Sequence, residues 1–175
     1  NIGAYYTTDR ATLGALSNLG CMAATYRTPA IFVEASGVLT NTQSTGPYRG
    51  AGRPESAYLI ETMIDAAARE LDLDGVEIRR RNTISADAMP FKTGLTYTYD
   101  SGDFIKNLED GITRADYDGF PARRETSNKA GKLRGISVVN VVEEAARARL
   151  EMSEIRFDAS GRATLLMGTS GHGQG

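Results

Sequence analysis

The sequence is poor in the residues that build metal sites and disulfides. Its 175 residues include one cysteine, one histidine and no tryptophan. A single cysteine excludes a disulfide within the chain, and one cysteine with one histidine is too few for a zinc-type cluster. Any metal would therefore be held by a cofactor or by another chain. Cys21 lies in the apolar stretch Leu19–Ala24, which favours a small buried residue over a reactive thiol.

Excess charge of one sign and long apolar runs are also missing. The formal net charge is -2 at pH 7, which gives no electrostatic reason to expect nucleic acid or an anionic membrane as a partner. No apolar run approaches the roughly 20 residues of a membrane-spanning helix, and residues 1–6 do not resemble a signal peptide. We therefore expect a cytoplasmic protein that binds neither nucleic acid nor a membrane.

Hydrophobic periodicity predicts both helices and strands in the first part of the chain. A short helical pattern covers about 11–19, and the apolar residues 30–39 after Pro29 predict a strand. The polar loop 40–53 separates this strand from the strongest helical pattern, which begins at Pro54, a residue suited to a first helical turn. This helix is predicted to bury Leu59, Ile60, Met63, Ile64, Ala67 and Leu71.

A second helix is predicted over Asp74 to Arg81, with Val76 and Ile78 inward and the arginine run 79–81 outward. We interpret this run as a solvated face, and the alternative is an interdomain or cofactor-binding role. Residues 83–100 lack periodicity and are interpreted as a linker. A third helix is predicted over 103–115, with Phe104, Ile105, Leu108 and Ile112 buried. A surface connection that is helical at first follows over 123–132. Three strands are predicted over 133–145, 149–157 and 162–167, with a turn over 158–161 between the last two.

Two glycine-rich loops carry the chemistry that the sequence suggests, Pro47 to Glu55 and Gly168 to Gly175. Glycine allows close approach of the backbone and positive φ, and successive amides can form an anion-binding nest. In the first loop Arg49 and Arg53 flank the glycines before a helix N-terminus, so they can pair with phosphate or carboxylate. In the second, Gln174 can both donate and accept. Each loop taken alone is also consistent with a simple connecting turn, and by spacing alone the second loop is the weaker signal for a ligand.

The order of these motifs resembles the large, molybdopterin-binding subunit of the molybdenum hydroxylases, the family of xanthine dehydrogenase, aldehyde oxidase and carbon monoxide dehydrogenase. The arginine–glycine block that runs into a helix is its most specific part. The resemblance covers nearly the whole chain, which is identified as a fragment of such a subunit. The matching segments are Thr40–Thr42, Pro47–Glu55, Glu70-Leu71, Glu77–Asn82, Gly135-Ile136 with Glu143, and His172–Gly175.

The resemblance implies molybdenum held by molybdopterin, which bacteria often extend to a cytosine dinucleotide. No residue of this chain is expected to bind the metal directly, and none is expected to be catalytic, because the family's glutamate base and its earlier glycine–phenylalanine loop lie outside these residues. The substrate-side loop would be Tyr48, Arg49, Gly50, Ala51 and Gly52. The cofactor-binding residues would be Arg49, Gly171, His172, Gly173, Gln174 and Gly175.

Two departures from the family pattern bear on the substrate. Carbon monoxide dehydrogenase proper carries a cysteine in the place of Gly50, and purine and aldehyde oxidases often carry a phenylalanine in the place of Ala51. Without that ring a stacking platform is missing, which disfavours a flat purine. The resemblance therefore implies an aldehyde or an N-heterocycle as substrate, with water as the oxygen source.

These observations predict an α/β fold with mixed sheets and helices, formed from parts of two molybdopterin-binding subdomains. Residues 1–83 would close the first portion, 84–94 would be a linker, and 95–175 would open the second. The expected partners are the rest of the large subunit, FAD-binding and iron–sulfur subunits, and a small-molecule substrate. The chain alone is expected to be inactive. The alternative is a non-catalytic α/β binding or assembly domain that retains the fold.

Overall fold

The computed structural model describes residues 2–5, 19–46, 49–143 and 152–168, together with Gly171 and Gly173. The chain divides into two compact units, Asn1–Val142 and Glu143–Gly175. Helices and small antiparallel sheets confirm the predicted α/β class. In the described ranges no helix is both long and apolar enough to cross a membrane. The elements are the helices α1 Arg53–Glu70, α2 Gly75–Asn82, α3 Phe104–Arg114 and α4 Phe120–Lys129, the strands β1 Phe91–Lys92, β2 Thr98–Tyr99, β3 Ser153–Phe157 and β4 Ala163–Met167, and the 3-10 helices Leu19–Ala23 and Ala86–Ala88.

Helix α1 begins where the sequence predicts, but its inward face was predicted wrongly. Leu59, Met63 and Leu71 are 52%, 66% and 62% exposed, whereas Ile60, Ile64 and Ala67 of the same predicted face are half-buried. The fully buried positions are Ser56, Glu61 and Ala68. The physical reason is that α1 packs against the 3-10 helix Leu19–Ala23 and against α2 through a buried ion pair and small residues.

Helix α2 is fixed at its start by Asp74, whose Oδ1 accepts hydrogen bonds from the amides of Val76 at 2.8 Å and Glu77 at 3.1 Å. A carboxylate at this position satisfies amides that the helix cannot pair and complements its dipole. Val76 and Ile78 are buried, as predicted. Arg79 is only 1% exposed, so its predicted place on a solvated face is wrong.

A buried polar network explains why Arg79 turns inward. Its Nε donates to Oε2 of Glu61 at 2.8 Å, and its guanidinium also pairs with Asp65 at 2.8 Å. The Tyr26 hydroxyl donates to Oε1 of Glu61 at 2.6 Å. Burial lowers the pKa of Arg79, but its hydrogen bonds to Asp65 and Glu61 outweigh this and the net pKa is raised. Burial and the neighbouring Glu61 carboxylate raise the pKa of Tyr26 well above its ordinary range.

Helix α3 contributes Leu108 and Ile112 to an apolar cluster of the core. Asp103 accepts a hydrogen bond from the Lys106 amide at 2.9 Å and caps the helix, as the sequence predicts for its acidic start. Leu108 and Ile112 are buried as predicted, while Phe104 and Ile105 are half-buried. The cluster consists of Val76, Leu108 and Ile112, with Tyr117 and Val138 packed against it.

The two long predicted strands of the first unit are not formed. Residues 30–38 are irregular, and within the described residues the pairing at this stretch is an isolated parallel bridge between Gly3 and Leu39. Phe32 is 87% exposed. Residues 133–143 are irregular as well, and 144–145 lie outside the described residues. A strand needs neighbours along its length, and apolar, β-branched composition supplies none by itself.

The predicted surface segment over 123–132 is helical at first, as expected, because 123–129 lie in α4, and most of these residues are exposed. Other stretches differ from the predictions. The predicted linker contains the hairpin formed by β1 and β2. The helical pattern at 11–19 falls mostly outside the described residues, and Leu19 begins a 3-10 helix. Cys21 in that helix is half-buried rather than fully buried.

The described part of the second unit is the predicted hairpin. Strands β3 and β4 pair antiparallel from Ser153↔Met167 to Phe157↔Ala163, while residues 149–151 lie outside the described residues. In the predicted turn, Oδ1 of Asp158 accepts from the amides of Ser160 at 2.9 Å and Arg162 at 3.2 Å. Hydrogen bonds from Ser160 and Arg162 lower the pKa of Asp158.

Replacing Glu61 tests the buried network. In Glu61→Ala the Arg79 guanidinium stays buried without its main partner, so we expect about 3–5 kcal/mol of lost stability in chemical unfolding. Tyr26→Phe keeps the ion pair and removes one hydrogen bond, so about 1 kcal/mol is expected. The control is Glu77→Ala, which removes an exposed ion pair with Arg81. Equal losses in Glu61→Ala and Glu77→Ala would contradict the assignment.

Tyr99 makes the fold sensitive to alkaline pH. Its hydroxyl donates to the carbonyl of Ala24 at 2.6 Å, and burial raises its pKa from 10.0 to about 12. A raised pKa favours the neutral form in the folded state, so this stabilisation is complete below pH 10 and is lost as the pH rises towards 12. In an alkaline titration followed by tyrosinate absorbance, Tyr99 should contribute an ionisation step near pH 12, and we expect this step to be missing in Tyr99→Phe. It should persist in the control Tyr58→Phe, which removes an exposed tyrosine.

Candidate functional site

The arginine–glycine loop forms a tight turn into α1. Gly50, Ala51 and Gly52 follow one another at φ of +92°, +40° and +94°. The amide of Arg53 donates to the carbonyl of Gly50 at 3.0 Å, which closes the turn, and Gly52 precedes the helix without a side-chain cap. Amides of a turn joined to a helix N-terminus provide a concave, electropositive backbone surface.

The sequence of this loop explains its shape. A Cβ on Gly50 would lie 2.7 Å from Cδ and 2.9 Å from Cγ of Pro54, and its φ is one that L side chains rarely adopt. Pro54 stands in the first turn of α1, where a missing N–H costs no helical hydrogen bond. Ala51 is a non-glycine residue in the left-handed region, which costs about 1–2 kcal/mol. Strain of this kind clusters at ligand-binding sites.

A mostly apolar pocket lies along the first three turns of α1. Arg53 is part of its wall, and its guanidinium also donates to the carbonyl of Gly50 at 3.4 Å. Arg53 therefore contacts both the loop and the pocket. The other lining residues are Cys21 and Ala24 near the 3-10 helix, Ala57, Ile60 and Glu61 on α1, and Asn140, Val141 and Val142.

The second glycine-rich loop belongs to the second unit. It follows β4, where the amide of Gly168 donates to the carbonyl of Met152 at 3.2 Å. A Cβ on Gly171 would meet nothing within 4 Å, and Gly173 has φ of +87°. Of the predicted cofactor-binding residues, the structure describes Arg49, Gly171 and Gly173. The predicted site residues outside the described ones are Tyr48, His172, Gln174 and Gly175.

The sequence analysis missed the residues beside the first loop. Arg49 to Gly52 form one continuous turn, but the contribution of Asn140 to the adjacent pocket had not been predicted. Its signal is a single amide side chain within the otherwise apolar run Val138–Val142. Glu61 gave a similar signal, because it is an acidic residue among the apolar positions of α1.

Comparison with known proteins identifies the family. The domain family described as "Molybdopterin cofactor-binding domain" matches residues 1–83, which include the first loop. The 6-hydroxypseudooxynicotine dehydrogenase complex subunit gamma of Paenarthrobacter nicotinovorans is 29% identical over the whole chain and 22% of its own length. The carbon monoxide dehydrogenase large chain of Hydrogenophaga pseudoflava is 32% identical over 86% of this chain and 21% of its own.

A solved structure supports the same fold. The structure of quinoline 2-oxidoreductase from Pseudomonas putida 86 aligns with the whole of this chain through 24% of its own length, with a TM-score of 0.74 and 23% sequence identity. The chain spans about a fifth of the length of the curated relatives it matches. These matches confirm the resemblance that the motifs suggested. Residues 1–83 belong to the molybdopterin cofactor-binding domain family, and the chain is similar over most of its length to carbon monoxide dehydrogenase large chains and over a shorter part to molybdenum-binding subunits of xanthine dehydrogenase.

Proposed function

We propose that this chain is part of the catalytic subunit of a molybdenum hydroxylase that oxidises an N-heterocycle with water as the oxygen source. The observation that carries the proposal is the turn Arg49–Gly52, with three successive positive φ angles before α1, inside the segment matched by the cofactor-binding domain family. Relatives named nicotine 6-hydroxylase and quinoline 2-oxidoreductase favour an N-heterocycle over an aldehyde.

The first loop fits a bulky anionic cofactor and its substrate. Gly50 is half-buried and Gly52 is buried at the positive end of the α1 dipole, and both have a positive φ at which a side chain would be strained. When bound, molybdopterin with molybdenum supplies the redox chemistry. The loop's own contribution is to orient the substrate and to exclude water, with Tyr48 to Gly52 on the substrate side. Arg49 contributes a guanidinium suited to a phosphate or carboxylate group.

The second loop is proposed to hold the cofactor. Gly171, His172, Gly173, Gln174 and Gly175 are assigned to it on the family pattern. The positive φ of Gly173 supports close approach of its backbone to a ligand. Gln174 would pair with cofactor groups of mixed polarity, because its amide donates and accepts.

The assembly around the chain follows the same family pattern. We propose the cytosine dinucleotide form of molybdopterin, and FAD-binding and iron–sulfur partner subunits. Relatives named "subunit gamma" of a complex and "large chain" indicate multi-subunit enzymes. The division into a first portion over 1–83, a linker over 84–94 and a second portion from 95 belongs to this proposal, and so does a cytoplasmic location.

The deciding experiment uses the full-length subunit in its native complex. Metal analysis should give about one molybdenum per large subunit, and acid hydrolysis should release one cytidine nucleotide. Assays with quinoline, nicotine and benzaldehyde in ¹⁸O-labelled water should place the label in the product of an N-heterocycle. A complex without molybdenum would support the non-catalytic binding or assembly domain instead, and a preference for benzaldehyde would refute the substrate class.

Gly50→Ala should damage the first loop. The added Cβ would meet Pro54, and the φ of +92° disfavours any L side chain. We expect at least a tenfold loss of kcat/KM in the full-length enzyme, equivalent to about 1.4 kcal/mol or more. The matched control is Gly46→Ala. A Cβ at this position would meet no atom within 4 Å, so the variant should retain activity. Similar activity of the two variants would contradict the assigned role.

The two loops should differ in what they control. Gln174→Ala should leave polar groups of the cofactor without hydrogen-bond partners, which costs about 1–3 kcal/mol of binding free energy. Cofactor affinity should therefore fall roughly tenfold to a hundredfold. Ala51→Phe should alter which substrates fit while molybdenum content stays near wild type. Metal per subunit and relative rates on small and flat substrates are measured for both. If Gln174→Ala keeps full metal and only shifts substrate preference, the two assignments are reversed.

A further inference from the structure

Asn140 is a buried polar residue in a segment without regular structure. It is only 2% exposed, although most of residues 132–143 are exposed or half-buried. Its Nδ2 donates to the carbonyl of Phe104 at 3.0 Å, and its Oδ1 accepts from Nδ2 of Asn107 at 3.0 Å. Its main-chain carbonyl accepts from Oγ1 of Thr25 at 3.3 Å. One residue therefore ties this segment both to the first turn of α3 and to the turn after the first 3-10 helix.

The residues next to Asn140 line a pocket together with residues of the first three turns of α1. Val141 and Val142 line the same pocket as Arg53, Ala57 and Ile60. Arg53 in turn donates to the carbonyl of Gly50 through its guanidinium and from its amide. A continuous set of neighbours thus runs from Asn140 through the valines and Arg53 to the arginine–glycine loop.

We infer that Asn140 is a positioning residue for the substrate-side loop, an inference that rests on the proposed function of that loop. Its side-chain amide fixes the segment on α3, and this holds Val141 and Val142 against the start of α1. The valines restrict Arg53, whose two hydrogen bonds to Gly50 close the turn. Asn140 touches neither substrate nor cofactor in this role. An asparagine suits it because one amide can donate and accept at once.

The test is amide hydrogen exchange of the full-length subunit in its native complex, read by mass spectrometry on peptides covering Arg49–Ala57. In Asn140→Ala we expect exchange in these peptides to rise about two- to tenfold, the range that loss of one or two hydrogen bonds gives. Asn107→Ala removes one of those bonds and should give a smaller rise. Asn128→Ala, an exposed asparagine of α4, should give none. KM for the best substrate should rise in step with exchange.

A stability-matched variant separates positioning from general destabilisation. Ile112→Val or Ile112→Ala opens a cavity in the apolar cluster, and the one that matches the thermal-stability loss of Asn140→Ala is chosen. Equal exchange over Arg49–Ala57 in the matched pair would overturn the inference. If Asn140→Ala does not fold, Asn107→Ala and Thr25→Val carry the same comparison. The exchange comparison is made between complexes of equal molybdenum content, so a wild-type complex without molybdenum would refute the proposed function alone.

Discussion

The ion pair between Glu61 and Arg79 is the constraint on which the rest of the first unit depends. Two charged side chains at 5% and 1% exposure are tolerated because, in the part of the chain that the structure describes, no buried side-chain nitrogen or oxygen lacks a hydrogen-bond partner. Tyr26 satisfies one carboxylate oxygen, while Arg79 takes the other and bonds to the carbonyl of Gly75 at 2.7 Å. The network therefore fixes the crossing of α1 and α2 and ties Tyr26, which follows the first 3-10 helix, to α1.

This constraint determines which way α1 faces. With Glu61 directed inward, Ser56 and Ala68 are buried with it, and the apolar side chains of Leu59 and Met63 are directed outward. The start of α1 is held in the same orientation, since Ser56 lies in its first turn and its amide bonds to the carbonyl of Gly52 at 3.0 Å. A loop on a helix anchored by a buried ion pair is held more rigidly than one joined only by turns.

Local signals in the sequence predicted the helices well. Pro54 and the cap residues Asp74 and Asp103 mark helix starts through interactions within one turn, so a single sequence contains the information. The strands predicted over 30–39 and 133–145 depended on partners far along the chain, which composition does not specify. The inward turn of Arg79 was missed for the same reason, because its partner Glu61 lies 18 residues away.

The candidate site likewise combines features set by local interactions, which the sequence predicted, with features set by packing between distant segments, which it did not. Glycine spacing located the turn Gly50–Gly52, since positive φ and close approach to Pro54 are local requirements. The left-handed conformation of Ala51 and the contacts of Asn140 depend on packing between segments, so the amide within the apolar run Val138–Val142 marks Asn140 as unusual without showing what it binds. Strain at Ala51 persists only where the surroundings over-determine the backbone. The helix anchored by Glu61 and the segment fixed by Asn140 together provide that rigidity, so the remote polar contacts and the strained loop form one physical unit.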